Sequence, residues 1–294
     1  MAKKIFVTGS ESFVGRELIK QCANYDIAVL GVDVSGGNDG YEFRNADIRD
    51  PAISGIMPTD ADAVVHLAAL SRDADCRDNA YQCFDVNVMG TLNVMRAAKM
   101  SGIKQFIFAS SEWVYDSFEN GIEKDEDAAI DISRLTSEYA LSKLVSEANL
   151  GIQYARGFPA VTILRFGIIY GPRRNNWSAV ESLASSVKKQ DEVVVGSLRT
   201  GRRFVHVSDI AKGIVKSIGR SGFDIINLTG DQIVTLGEVI EASEKIFEKK
   251  IKISESDSDS ANVRNPSNAR AKKLLGWRPE IALEAGLKTL LPFI

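Results

Sequence analysis

The sequence predicts an α/β protein built on a doubly wound parallel sheet, with a smaller α/β lobe at its C-terminal end. Three observations predict it. Short, continuously apolar runs alternate with helical patterns through the first half of the chain, as strands buried on both faces require. A glycine-bearing turn, Thr8-Gly9-Ser10-Glu11-Ser12-Phe13-Val14-Gly15, directly follows the first of those runs. After Phe166 the rhythm changes, where Gly171-Pro172 and the polar Arg173-Arg174-Asn175-Asn176 interrupt it.

Taken in order, Ile5 to Thr8 reads as a buried strand and Phe13 to Ala23 as a helix, with Val14, Leu18, Ile19 and Cys22 on one face. Ile27 to Asp33 is the second strand. Ala63 to Leu67 and Phe106 to Ala109 are two more, with a helix from Ala80 to Met100 between them. A long helix from Glu138 to Arg156 precedes the strand Val161 to Arg165. Beyond Phe166, the strands Val193 to Val195, Phe204 to Val207 and Ile225 to Leu228 alternate with helices from Ser178 to Lys189, Asp209 to Ile218 and Leu236 to Phe247. We read residues 1–166 as one domain and 167–294 as a second lobe, partly interleaved with the sheet around residues 200–228. The biased stretch Ser254 to Asn262 reads as a solvated loop.

The chain has 294 residues, 45% of them hydrophobic, which is enough to bury a core without disulfide or metal staples. Its 36 Lys+Arg against 39 Asp+Glu argue against a nucleic-acid partner, because phosphate backbones call for clustered basic residues. Cys22, Cys76 and Cys83 are odd in number and share no C-x-x-C spacing, so a reducing compartment is expected. With only His66 and His206 there is no His-rich metal site, and no metal is expected. The apolar Ile5-Phe6-Val7 is too short for a signal peptide, and no run of about 18 apolar residues offers a membrane span. A cytoplasmic protein with no membrane partner is the expectation.

The turn at Thr8 to Gly15 lets backbone N–H groups and a helix N-terminus meet a pyrophosphate. Gly9 allows the tight turn, and Gly15 allows the helix to pack closely on the sheet. Asp33 ends the second strand, where a carboxylate accepts adenosine ribose hydroxyls and repels a 2′-phosphate, so NAD is favoured over NADP. The plainer reading of Asp33 is a strand-end turn residue. Strand, glycine turn, helix and acidic strand end together make a Rossmann-type cofactor site the better reading.

Tyr139 and Lys143 are four residues apart on the long helix and therefore share a face. A free tyrosine has a pKa of about 10, and a neighbouring ammonium favours its phenolate. Alone, such a pair is common on any helix surface. Ser111 strengthens it, because it follows the strand ending at Ala109, and parallel-sheet enzymes hold ligands beyond the carboxyl ends of their strands. Tyr139 would take the proton of a substrate hydroxyl, and Lys143 would hold the phenolate.

At these residues the chain resembles the extended short-chain dehydrogenase/reductase family, the nucleotide-sugar epimerases and dehydratases. The resemblance runs nearly end to end. It covers the turn Thr8 to Gly15, Asp47-Ile48-Arg49-Asp50, His66-Leu67-Ala68-Ala69, Asn87 to Ala98, Ser110 to Tyr115 and the Tyr139/Lys143 pair. It also covers Leu164 to Pro172, Gly201 to Asp209 and the C-terminal Leu275-Gly276-Trp277. The departures are Ser12 for the middle glycine of the turn, Ile168 for an asparagine and Arg203 for an aspartate.

The resemblance implies NAD held by Gly9, Ser12, Phe13, Val14, Gly15, Asp33, Asp47, Ile48, Leu67, Ala68, Ala69, Asn87, Ala109, Tyr139 and Lys143. It implies a nucleotide-diphospho-sugar substrate met by Ser71, Ser111, Arg173 and Arg202. Arg202 matches the arginine that grips the diphosphate; as bare sequence, a surface charge is the commoner fate of either arginine, and Arg202 is the better candidate. His206 reads as a core residue.

Glu112 is open between a catalytic acid/base and a solvated loop acid. Trp113 stands where the full dehydratase pattern has a second carboxylate. The activity implied is an NAD-dependent nucleotide-sugar 4-epimerase, with a dehydratase or a 4-keto-sugar reductase as the alternative and a non-catalytic NAD-binding regulator behind them. The resemblance also implies a homodimer.

Overall fold

The computed structural model describes residues 3–37, 40–115, 118, 121–175 and 177–294. Its central sheet has seven strands: β1 (Lys3–Thr8), β2 (Ile27–Asp33), β3 (Glu42–Asn45), β4 (Ala63–His66), β5 (Gln105–Ser111), β6 (Ala160–Phe166) and β7 (Phe223–Leu228). They lie in the order β7-β6-β5-β4-β1-β2-β3. Ile5 of β1 sits opposite Val29 on one side and Ala63 on the other, both in parallel register. The pairs β2–β3 and β4–β5 are parallel as well. This is the expected doubly wound sheet. Its strand order reverses between β1 and β4, and the crevice beyond their carboxyl ends is where such sheets take ligands.

The apolar runs explain the strands. Ile5, Phe6, Val7, Val64, Val65, Phe106, Ile107 and Phe108 are all buried, so each strand loses water on both faces. The helix Thr91–Met100 adds Val94, Met95, Ala97 and Ala98 to the core that holds Phe6, Val64 and Phe106, and the helix Glu138–Ala155 adds Leu150. β3 escapes the pattern because it is a short edge strand with three exposed residues and one half-buried, held by backbone bonds to β2.

Two expected elements change. β5 runs two residues past Ala109, so Ser110 and Ser111 both lie on the strand. The expected helix Ala80 to Met100 is Ala80–Phe84, a π-helical turn Asp85–Gly90 and then Thr91–Met100. The turn opens at Asn87, whose carbonyl accepts the hydroxyls of Thr91 at 2.6 Å and Ser146 at 3.1 Å; side-chain bonds of this kind loosen the helical ladder.

The chain forms two compact units. The first comprises Met1–Asp116, Ala129–Arg165 and Ala211–Ile226; the second comprises Ser117–Ala128, Phe166–Ile210 and Asn227–Ile294. The chain passes from the first unit to the second between Arg165 and Phe166, among other places. The second unit has its own core of Tyr170, Val180, Ala184, Phe204, Val239, Ile240 and Leu287. Its helices Ala179–Lys189 and Leu236–Phe247 both start with capping boxes, Ser178 with Glu181 and Thr235 with Glu238. The strand Lys252–Glu255 pairs with Glu192–Val195 and takes the first two residues of the expected solvated loop; the rest of that stretch is exposed.

Ser12 has a specific task. It caps the helix Phe13–Asn24, accepting the Gly15 N–H on its hydroxyl at 3.1 Å, with φ −65° and ψ 166°. That extended backbone is open to any residue, so the position does not demand glycine. Ser12→Ala is expected to lower unfolding free energy by about 1 kcal/mol and Ser12→Gly by only a few tenths, read from urea denaturation curves.

Candidate active site

The cofactor turn is shaped by two close approaches. Gly9 has φ +71°, and a Cβ there would stand 2.7 Å from the Ala68 nitrogen. Its N–H donates to the Val32 carbonyl at 2.9 Å. A Cβ on Gly15 would stand 2.2 Å from the Gly9 carbonyl oxygen and 2.6 Å from that of Ser10. Gly15 is therefore needed by the turn's own backbone. Phe13 and Val14, both half-buried, open the helix and carry first-turn N–H groups. The Asp33 carboxylate accepts the Glu11 N–H at 3.1 Å and the Ser35 N–H at 3.3 Å, which ties the end of β2 to the turn.

Around the crevice, Leu67 N donates to the Thr8 carbonyl at 3.0 Å, Ala68 N donates to the Thr8 hydroxyl at 3.3 Å, and Ala69 is half-buried. Ile48 is buried against Gly90, where a Cβ would lie 2.6 Å from its Cδ1. Asp47, expected on the adenine side, gives its carboxylate to Arg49 at 2.6 Å, which holds it below the usual carboxylate range. Arg49 also reaches Asp85 at 3.1 Å.

A polar line that the sequence did not reveal joins this turn to the helix Glu138–Ala155. Buried His66 bonds Thr8 through Nδ1 at 2.6 Å and Thr91 through Nε2 at 2.9 Å. Thr91 donates to the Asn87 carbonyl, so it accepts from Nε2–H, and Thr8 donates to Nδ1. Burial, with the Lys143 charge second, pushes His66 down to about 3, and the neutral ring carries its proton on Nε2 and accepts from Thr8 at Nδ1. The Asn87 side chain accepts the Leu70 N–H at 2.8 Å and donates to the Leu70 carbonyl and to Ser142 Oγ, each at 3.0 Å. Asn87 thus fixes the loop after β4, and exposed Ser71 follows it.

The groups expected to react lie near the carboxyl end of β5. Lys143 Nζ donates to the Ala109 carbonyl at 2.8 Å. Burial pushes Lys143 down to about 8, against the opposing pull of two thiols and Glu147. Tyr139 is pushed up to about 12 by burial, while a hydrogen bond from Ser111 favours its phenolate. Ser111 Oγ accepts the Trp113 N–H at 3.2 Å. Trp113 packs with Leu70 on a small apolar cluster of Tyr139, Cys76 and Cys83. Glu112 opens the 3-10 turn Glu112–Tyr115 at 1% exposure, which removes the solvated-loop reading. Ser111, Tyr139, Lys143, Ala109 and Asn87 are thus brought together within the first unit.

Arg173 and Arg202 belong to the second unit. Arg173 Nε pairs with the fully buried Glu181 at 2.8 Å and its Nη2 reaches the Ile169 carbonyl at 3.2 Å. Arg202 Nη1 donates to the carbonyls of Gly201 at 2.7 Å and Asn262 at 2.6 Å. Arg203, the departure from aspartate, joins Glu123 and Asn265, each at 2.6 Å. His206 is held by Ser208 and Thr289, as expected of a core residue. Among the described residues there is no group of three His, Cys, Asp or Glu able to hold a metal, and no helix long and apolar enough to cross a membrane.

A doubly wound sheet with this turn, an acidic β2 end and a serine–tyrosine–lysine set defines an enzyme that works with a bound dinucleotide. The chain belongs to the NAD dependent epimerase/dehydratase family, whose model matches residues 5–228. NAD is therefore its cofactor, and the extended short-chain dehydrogenase/reductase resemblance agrees. It is similar to the UDP-glucuronate 4-epimerase of Thermodesulfobacterium geofontis, 29% identical over 96% of this chain and 93% of that one. It is 26% identical to UDP-glucuronic acid decarboxylase 1 of Arabidopsis thaliana, over 97% of this chain and 68% of that one. Among solved structures, the UDP-glucose 4-epimerase of Thermotoga maritima with UDP-glucose shares the fold, with a TM-score of 0.87, 22% identity, and coverage of 99% and 98%.

His66 generates a prediction. Its pKa is lower folded than the unfolded value of about 6.5, so the unfolded chain binds the extra proton, and stability falls as pH drops from there toward 3. The slope from this residue reaches about 1.4 kcal/mol per pH unit in that window. Urea denaturation between pH 7 and pH 4 is expected to show that slope, and His66→Gln to flatten it.

Proposed function

We propose that this protein is an NAD-dependent nucleotide-sugar 4-epimerase. The observation that carries the reading is the buried Tyr139 phenol, whose phenolate Ser111 favours, with the Lys143 ammonium one helical turn away and 5.9 Å from the tyrosine ring centre. The relatives' names, which specify UDP-sugars, support a UDP-sugar as substrate.

The residues fit NAD. Gly9 and Gly15 allow the tight turn between β1 and the helix Phe13–Asn24, whose first-turn N–H groups suit a pyrophosphate, and the half-buried Asp33 carboxylate repels a 2′-phosphate. We assign the pyrophosphate to the turn and first helical N–H groups from Gly9 to Gly15, including Ser12, Phe13 and Val14. Asp33 takes the adenosine ribose, and Asp47 and Ile48 lie on the adenine side. Leu67, Ala68, Ala69, Asn87 and Ala109 line the course toward the ring, which Tyr139 and Lys143 meet. Bound NAD supplies the hydride acceptor and donor.

The chain's own part is proton handling and positioning. Tyr139 as phenolate takes the proton of the sugar 4-hydroxyl and returns it after the ring has turned over. A phenol pushed to about 12 by burial needs nearby positive charge to work at neutral pH; the Lys143 ammonium and a cationic nicotinamide supply it. Ser111 holds the reacting oxygen. Ser71 of the first unit and, in the second, Arg202 and Arg173 are assigned to substrate contact, Arg202 to the diphosphate; Glu181 holds the Arg173 side chain. Glu112, buried beside Ser111, is the second acid/base candidate. Trp113 favours epimerisation over dehydration, because the position that would supply a second carboxylate carries an indole packed on the cluster of Tyr139, Cys76 and Cys83.

We also propose a homodimer in the cytoplasm, formed through the helices around Ala80–Met100 and Glu138–Ala155. Tyr81 at 86% and Met89 at 56% exposure support that surface.

Tyr139→Phe is expected to lower kcat for UDP-sugar interconversion by about 10³-fold or more while NAD binding persists; full activity in that variant would reject the assigned base. Asp33→Ala is expected to weaken NAD binding more than NADP binding, by titration calorimetry. NAD that co-purifies would favour an epimerase over a reductase, which must exchange its cofactor each turnover.

A further inference from the structure

Below the reacting residues lies a buried ion pair with no part in the chemistry just proposed. Tyr139, Lys143 and Glu147 are spaced four residues apart on the helix Glu138–Ala155, so they share one buried face. Glu147 Oε1 accepts Arg165 Nε at 3.0 Å, and Oε2 accepts Nη2 at 2.6 Å, a two-pronged fork. The Ser110 hydroxyl donates to the same Oε1. Arg165 Nη1 donates to the Tyr115 hydroxyl at 2.9 Å, and the guanidinium lies 4.9 Å from the Tyr115 ring centre. Both charged side chains are 4% exposed.

This pair therefore ties together the catalytic helix, β5 through the neighbour of Ser111, the end of β6, and the 3-10 turn that starts at Glu112. Those are the pieces that carry all four proposed reacting residues. A buried pair gains little stability over an apolar substitute, because desolvation offsets the attraction. The charges themselves need a use.

We propose that Glu147 and Arg165 are positioning residues that seat Ser111 against Tyr139 and balance the charge beside Lys143. The inference rests on the functional reading above for which groups react. Lys143 faces Tyr139 and Glu147 from its own helix, the Cys76 and Cys83 thiols, the ring of Phe108, the Ala109 carbonyl and, from β4, His66. His66 is neutral, and burial keeps the Cys76 thiol protonated. Glu147 is the carboxylate that favours the lysine's charged form, and it is paired with Arg165 at 2.6 Å.

The test is a pH titration of full-length protein with NAD present, labelled with ¹³Cε-lysine and followed by NMR. The Lys143 signal is assigned by its loss in Lys143→Arg. Glu147→Gln leaves the Arg165 charge unbalanced and is expected to lower the Lys143 pKa by about one unit; Arg165→Met leaves the carboxylate and is expected to raise it by about as much. Shifts in the same direction, or none, in folded variants overturn the proposal.

A lone buried charge can unfold a chain, so the double variant Glu147→Gln/Arg165→Met is the second arm. It is expected to fold, to return Lys143 to within about half a unit of wild type, and to lose about tenfold or more in kcat because Ser110 and Tyr115 lose their anchor. Wild-type kcat in the double variant overturns the proposal. If the unaltered protein interconverts no nucleotide sugar, the functional reading fails on its own, while the lysine titration still decides this one.

Discussion

Keeping an ammonium and a phenol out of water on one helical face is the constraint to which much of this molecule answers. Lys143 and Tyr139 are both buried, and a buried ammonium costs several kcal/mol unless its hydrogens are satisfied. The Ala109 carbonyl at 2.8 Å, the Glu147 carboxylate one turn away and the Phe108 ring at 4.9 Å share that task. Ala109 can offer its carbonyl because β5 carries its chain direction into the crevice, and Ser111 comes two residues later on the same strand. The helix Glu138–Ala155 and β5 are therefore tied together by the buried ammonium they share.

The same economy appears in the polar line from Thr8 through His66 and Thr91 to Asn87 and Ser142. Every member is buried. Such lines are safe only when each donor finds an acceptor, and this one is consistent with a single imidazole tautomer. It joins the cofactor turn to the helix that carries Tyr139. The π-helical turn at Asp85–Gly90 is the local adjustment that lets the Asn87 carbonyl face Thr91 and Ser146.

Much of this was legible in the residues. The buried strands announce themselves because strands covered on both faces must be apolar throughout, as Ile5-Phe6-Val7 and Phe106-Ile107-Phe108 are. The Tyr139–Lys143 spacing puts the two on one face of any helix. The missed parts share a physical cause: they depend on partners distant in sequence. β3 has no periodic pattern because an edge strand is held by backbone bonds. Glu147 carries the period of Tyr139 and Lys143, yet nothing local says that Arg165 will meet it. Ser12 looked like a lost glycine; in the fold it is an ordinary helix cap. Glu112 was ambiguous until the turn after β5 enclosed it.

By itself, the sequence determined the parallel sheet, the cofactor turn, the acidic end of β2 and the family of the chemistry, because apolar periodicity and short spacings act within a few residues. Only the tertiary structure decided which charges are spent inside the protein. It committed Asp47 to Arg49, Arg173 to Glu181 and Arg165 to Glu147, and it kept His66 neutral. The reason is that burial and pairing, which set the state of an ionisable group, belong to neighbours that only folding assembles.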